Sequence, residues 1–228
     1  MRALHFMKVD YILTRKQFSI VPLFFGLALF VGHGMGTPEL SLMVACSYML
    51  FVASIFATTP FAYCGGKNRG FLLLFPATVR DRVAGRFLYG MSFMALLTLF
   101  CGALAGVYRV MGMKLSLWTL AIGLWELAIG IMIITLQILF FYLFGEGKEN
   151  WQYLSNIVRT APGMAVFFGA NYLIGKAEDA SAGGAKIALG ALSGKFMQAG
   201  IIAVVAALLL MAVAAAVCVK VIRKRDYA

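Results

Sequence analysis

Six stretches of this chain are long, apolar and nearly free of charge, and the segments joining them alternate between rich and poor in Lys and Arg. The runs are Gln17 to Pro38, Leu40 to Gly66, Phe87 to Tyr108, Leu115 to Gly145 with one acid inside, Thr160 to Gly175, and Phe196 to Val219. A helix needs roughly 20 residues to cross the hydrocarbon layer, and all but the fifth run reach that length. The fifth extends back through Tyr153, Leu154, Ile157 and Val158 if Arg159 snorkels to water. With 62% hydrophobic and 13% charged residues in 228 positions, the chain holds more apolar surface than a soluble domain can hide. The expected fold class is an all-α polytopic membrane protein with six transmembrane helices.

Numbering the runs in order puts the N-terminus, the loops after the second and fourth runs, and the C-terminus on one side. Fifteen of the 20 Lys and Arg residues fall there: Arg2, Lys8, Arg15, Lys16, Lys67, Arg69, Arg80, Arg82, Arg86, Lys148, Arg159, Lys220, Arg223, Lys224 and Arg225. The opposite side holds the other five, Arg109, Lys114, Lys176, Lys186 and Lys195. Cytoplasmic loops retain Lys and Arg, so both termini are expected in the cytoplasm. The net charge of +11 is then explained by a basic rim beside anionic lipid and requires no nucleic acid. The first run lies late and behind several charges, which reads as a retained span and not as a cleaved signal peptide.

Residues 1–16 form a helical wheel with Leu4, Met7 and Tyr11 on one side, extended by Ala3, Phe6 and Leu13, and with most cations opposite. This predicts an amphipathic N-terminal helix at the membrane interface, with Val9, Asp10 and Ile12 breaking the pattern; a solvated basic tail is the alternative. Residues 17–228 make up the transmembrane domain. Cys46, Cys64, Cys101 and Cys218 lie in or beside apolar runs without a pairing pattern and read as small core residues.

The most specific segment is the cytoplasmic loop after the second run, about residues 64–86. Pro76 sets a break, Thr78 is placed to cap the following helix, and Asp81 completes a capping box three positions on. A short basic helix then leads into the third span. Such an element suits docking to a cytoplasmic partner, and an interfacial turn would carry the same signals.

This loop resembles that of the ABC-2 type permease subunits of ATP-binding-cassette exporters, in particular the small six-helix group. Phe61 and Tyr63 match an aromatic pair, Lys67 and Asn68 a basic-amide step, and Phe71 a Trp position. Phe75, Pro76, Ala77 and Thr78 match a Leu-Pro-Val-Ser step, followed by Arg80, Val83, Arg86 and Phe87. Cys64 and Gly65 stand where acids are usual, and Val79 replaces the usual Arg. The resemblance implies a coupling helix against a separate ATPase, formed here by Pro76, Thr78, Arg80, Asp81, Arg82, Val83, Arg86 and Phe87. It implies a minor contact at Gly145 to Asn156, a second permease copy or paralogue, two ATPase copies, and ATP with Mg2+ held by that ATPase.

The chain has no G-x-x-x-x-G-K-[ST] phosphate loop; Gly190 to Phe196 is one residue short between glycines and has Phe at the hydroxyl position. His5 and His33 are too few for a metal site, and no nucleophile-base or paired-carboxylate constellation stands out, so no enzymatic role is expected. Glu126 is the one acid inside a span, a candidate path-lining residue or a structural hydrogen-bonding group. Gly102 to Gly106 and the Ala203, Ala207 and Ala214 series offer close helix approach. The outer segment, about 176–198, reads as a loose loop or a helix closing the pathway. The aggregate reading is an exporter permease in a bacterial plasma membrane, carrying an amphipathic or hydrophobic cargo such as a peptide. An ion-gradient-driven transporter or channel is the rival, and a scaffold or immunity subunit also fits.

Overall fold

The computed structural model describes residues 2–18, 23, 26–27, 30, 38–63, 78–112, 117–144, 156–165, 168–169, 172 and 186–226. Every regular element among them is helical: α1 (Arg2–Phe18), α2 (Pro38–Ala57), α3 (Thr59–Tyr63), α4 (Val79–Val110), α5 (Leu117–Phe144) and α6 (Lys186–Asp226), with further helix at 156–165. The all-α class is as expected. Four stretches are long and apolar enough to cross a membrane, Ser41–Phe61, Val79–Val110, Thr119–Phe144 and Gly194–Lys224. They correspond to the second, third, fourth and sixth apolar runs. The first run lies largely outside the described residues, and of the fifth chiefly the opening turns at 156–165 are described.

Helix lengths set the geometry of the ends. The 32 residues of α4 extend about 48 Å, well beyond a hydrocarbon layer of about 30 Å. The polar first two turns therefore project past the apolar layer while remaining one helix with the span. The 41 residues of α6 extend about 60 Å, so the part of the 176–198 segment from Lys186 onward is helix continuous with the last apolar run and is not a loop. The Gly190 to Phe196 stretch lies inside that helix, a backbone unlike a phosphate-cradling loop.

The second apolar run is not one helix. At Pro60 the backbone has no N–H to donate, and the residue before a proline disfavours the helical region, so α2 stops at Ala57 and α3 restarts at Thr59. The Thr58 hydroxyl donates to the Ile55 carbonyl at 3.1 Å and the Thr59 hydroxyl to the same carbonyl at 3.1 Å, satisfying an acceptor that the break would orphan.

The core forms around α2, 89% of whose apolar window is buried, against 50% for α5, 22% for α4 and 17% for α6. Leu50, Tyr89, Met94, Ile134 and Ile138 meet there with almost no exposed surface. Gly130 makes the contact possible: a methyl group on its backbone would collide with both Leu50 and Met94. Helix α6 packs chiefly on α5 and leaves Ile202, Leu209 and Val213 exposed. The cysteine reading requires a correction. Cys46 of α2 and Cys101 of α4 form a disulfide, with Cα atoms 6.0 Å apart, because packing brings together two residues 55 positions apart. Cys218 is free and buried, as a core residue should be.

Candidate functional site

The N-terminal end of α4 is built as the sequence indicates. Thr78 is the N-cap: its hydroxyl oxygen accepts from the Asp81 N–H at 3.2 Å, and Asp81 Oδ2 accepts from the Thr78 N–H at 3.2 Å. The Thr78 hydroxyl also donates to Asp81 Oδ2 at 2.6 Å. This closed capping box satisfies donors that a helix start leaves open and fixes where the helix begins. Pro76 lies outside the described residues, as do all of 64–77 and, of the expected minor contact from Gly145 to Asn156, everything but Asn156.

From the cap inward the segment divides by face. Thr78 and Arg80 are exposed, Asp81 and Arg82 half-buried, and Val83, Arg86 and Phe87 buried. Val83, Phe87, Gly90, Met94 and Leu97 repeat at three- and four-residue intervals, which is the core face of an α-helix, and Arg86 stands on it. A cation there needs a partner, and the fold supplies one from α1. Arg86 Nε lies 2.8 Å from Asp10 Oδ2, with 4% and 0% of the respective side chains exposed. The guanidinium carbon sits 4.6 Å from the Phe61 ring centre and 5.8 Å from that of Phe6, within cation-π range. Burial pushes the Asp10 carboxyl up to about 6, with the Arg86 charge and its hydrogen bond pulling the other way.

The same seam continues outward along α4. The Thr14 hydroxyl donates to the Asp10 carbonyl at 2.8 Å, which leaves its oxygen to accept from the Tyr89 hydroxyl at 2.9 Å. The Ser92 hydroxyl donates to the Tyr89 carbonyl, so the Tyr11 hydroxyl donates to Ser92. The buried stripe of α1 is therefore Phe6, Asp10 and Thr14, one helical turn apart, while Leu4 and Ile12 point outward at 51% and 64% exposed. The hydrophobic wheel located the helix and most of its contact face, Phe6, Met7 and Tyr11 included, but left out Asp10 and Thr14 and counted Leu4, which points outward.

A second polar cluster sits at the break between α2 and α3. The Arg159 guanidinium donates to the Thr59 hydroxyl at 3.0 Å, the Thr58 hydroxyl at 3.3 Å and the Ile55 carbonyl at 3.4 Å. A cation at the carbonyl end of α2 also suits the helix dipole. Gln137 of α5 holds the turn carrying Arg159 by donating to the carbonyls of Val158 and Arg159 at 2.9 and 3.2 Å. Arg159, half-buried, thus ties its own turn to the break between α2 and α3. Glu126 is 8% exposed on α5, and its Oε1 has no hydrogen-bond partner among the described residues. Its neighbour Trp125 donates to the Phe196 carbonyl at 3.3 Å and stacks on the Phe196 ring, fastening α5 to α6.

Sequence reasoning singled out Arg86 and Glu126 and put Phe6 on the apolar face of the N-terminal helix, but it read Asp10 only as a break in that pattern and found neither Thr14 nor the hydrogen bonds of Arg159. The available signal was spacing: Asp10 is four residues from both Phe6 and Thr14, a polar group centred on a helix stripe.

Against known families, residues 5–223 match the family described as ABC-2 family transporter protein. The chain belongs to that family. It is an ABC permease subunit, a multi-pass membrane protein, and family membership implies association with an ATP-binding-cassette ATPase. No curated protein and no solved structure matches it.

Proposed function

We propose that this permease is the membrane-spanning half of an ABC exporter, with six spans, both termini in the cytoplasm, and residence in a bacterial plasma membrane. A second permease copy or paralogue completes the path. Two copies of a separate ATPase bind ATP and Mg2+ and supply the energy, and the chain itself carries no catalytic residue. The cargo is amphipathic or hydrophobic, with a peptide as first choice for an apolar, weakly charged interior.

The observation that carries this reading is the continuity of α4. One unbroken helix runs from the capped Thr78 through a full span to Val110, so a displacement applied at its inner end is delivered along a ladder of backbone hydrogen bonds to the outer end. Pro76, Thr78, Arg80, Asp81 and Arg82 offer the ATPase contact. Val83, Arg86 and Phe87 are buried and root the same segment in the membrane domain. Glu126 lines the path between the helices. A gradient-driven carrier is the second reading, favoured by a buried carboxyl inside an apolar span whose Oε1 has no hydrogen-bond partner among the described residues.

Affinity purification of the tagged chain in mild detergent, with mass spectrometry and an ATPase assay of the eluate, tests the choice. The expected result is a stoichiometric nucleotide-binding partner with hydrolysis, lost when Arg80→Glu reverses the exposed charge. An intact, monodisperse chain without such a partner overturns the exporter reading in favour of the carrier.

A further inference from the structure

Arg86 stands where three elements meet. Asp10 and Phe6 approach it from α1, Phe61 from α3, and its own backbone belongs to the first turns of α4. Beside it, Gly85 brings α1 unusually close: a Cβ there would stand 2.9 Å from the Phe6 Cβ and 3.0 Å from the Ala3 carbonyl oxygen. Any side chain larger than hydrogen would hold the two helices apart and open the ion pair. Farther along, Tyr89 and Ser92 of α4 bind Thr14 and Tyr11 of α1.

We propose that the Asp10–Arg86 pair, clasped between Phe6 and Phe61, is a latch that makes α1, α3 and the inner turns of α4 move as one body, with Arg86 a positioning residue and not an ATPase contact. The physical reason is the cost of opening it. Two charges sealed from water attract strongly, and separating them without rehydration leaves both uncompensated. Shearing α1 along α4 would also break the Thr14 and Tyr11 hydroxyl bonds in the same motion. The joint is consequently all-or-none, and it ties the segment before the first span to the segment that enters the third. That mechanical statement stands on the contacts alone; its consequence for transport, that a push on Thr78 to Arg82 also moves α1, rests on the permease reading above.

Hydrogen exchange of the full chain in lipid nanodiscs tests the latch without any partner. In Asp10→Ala and in Arg86→Gln, exchange of residues 2–18 and of 79–89 rises together, by about tenfold, while α5 and α6 keep wild-type rates. The double variant exchanges no faster than the faster single one, because the two substitutions remove one interaction. Rises that multiply in the double variant, or a change in α1 without one at 79–89, overturn the proposal. Should either charge variant fail to accumulate, Gly85→Ala gives the same readout by pressing on Phe6 with both charges retained, and unchanged exchange there overturns it equally.

In the purified complex, Arg86→Gln keeps the ATPase bound while cargo-stimulated hydrolysis falls, and Arg80→Glu loses the ATPase. Loss of the ATPase from Arg86→Gln would return that residue to the docking surface and sink its positioning role. The predicted joint rise in exchange, in a chain that recruits no ATPase, would instead leave the latch standing and remove only the permease reading's partner.

Discussion

Asp10 and Glu126 are both carboxylates more than nine-tenths withdrawn from solvent, yet their surroundings have little in common. Asp10 faces a guanidinium at 2.8 Å, two aromatic rings beyond it, and a hydroxyl network on the next turn. Glu126 lies within an apolar span, and its Oε1 has no partner among the described residues. The contrast teaches that a buried acid does two different jobs. With a counter-charge it holds elements together, because opening the pair orphans both groups. Without one it adds no such cohesion, and the path-lining role proposed above gives a buried acid in a span a different task.

The largest effect should come from removing one side of the paired site. Arg86→Ala leaves Asp10 buried without its cation and is expected to cost about 3 to 5 kcal/mol, read as thermal stability of the detergent-purified chain. A loss no greater than that of an exposed substitution such as Arg80→Ala would break the contrast at its root.

Acidity provides the next test. The Asp10 carboxyl in the folded chain titrates at about 6, above its ordinary 3.8, so the folded state holds that proton more tightly than the unfolded state. Its contribution to stability is fully present below about pH 4 and is lost as the pH rises through about 6. Melting curves should accordingly show wild type gaining on Asp10→Asn as the pH falls from about 7 to about 4, with a constant difference above that window. A difference that shrinks on acidification would mean that the Arg86 charge, and not burial, dominates the site.

Tyr89→Phe sharpens the picture at smaller cost. It removes the hydroxyl that donates to Thr14 and should destabilise by about 0.5 to 1.5 kcal/mol with the helix intact by circular dichroism. Smallest of all, Glu126→Gln should leave the melting temperature unchanged or raise it slightly, since a neutral amide is cheaper to bury than a charge, while cargo-dependent activity falls. A destabilisation larger than that of Tyr89→Phe would show Glu126 to be a cohesive group after all.

Much of this organisation was legible in the residues. The capping box needs only Thr78 and Asp81 at the right separation, and the structure closes it as written. Apolar runs located four long helices, because length and transfer energy are additive along the chain. The interruption at Thr58 was also within reach, since Pro60 forbids a continuous helix on local grounds; the run was apolar throughout, and hydropathy outweighed the breaker. Arg86 could have been recognised as inward-facing from its place between Val83 and Gly90 on one helix face. Only its membership in a basic loop argued for the surface.

Other features depend on where distant segments meet. Nothing near Asp10 in sequence distinguishes it from an acid in a solvated tail; what decides is that α1 packs on α4, across some 75 intervening residues. The Cys46–Cys101 link and the seat of Arg159 against α2 are of the same kind. The chain by itself determined the helices, their caps and breaks, and the family, because propensity, hydropathy and motif spacing act over a few turns. Tertiary structure alone decided which charges are paired, since in a medium that cannot solvate them their energy depends on a partner's position in space and not on its distance along the chain.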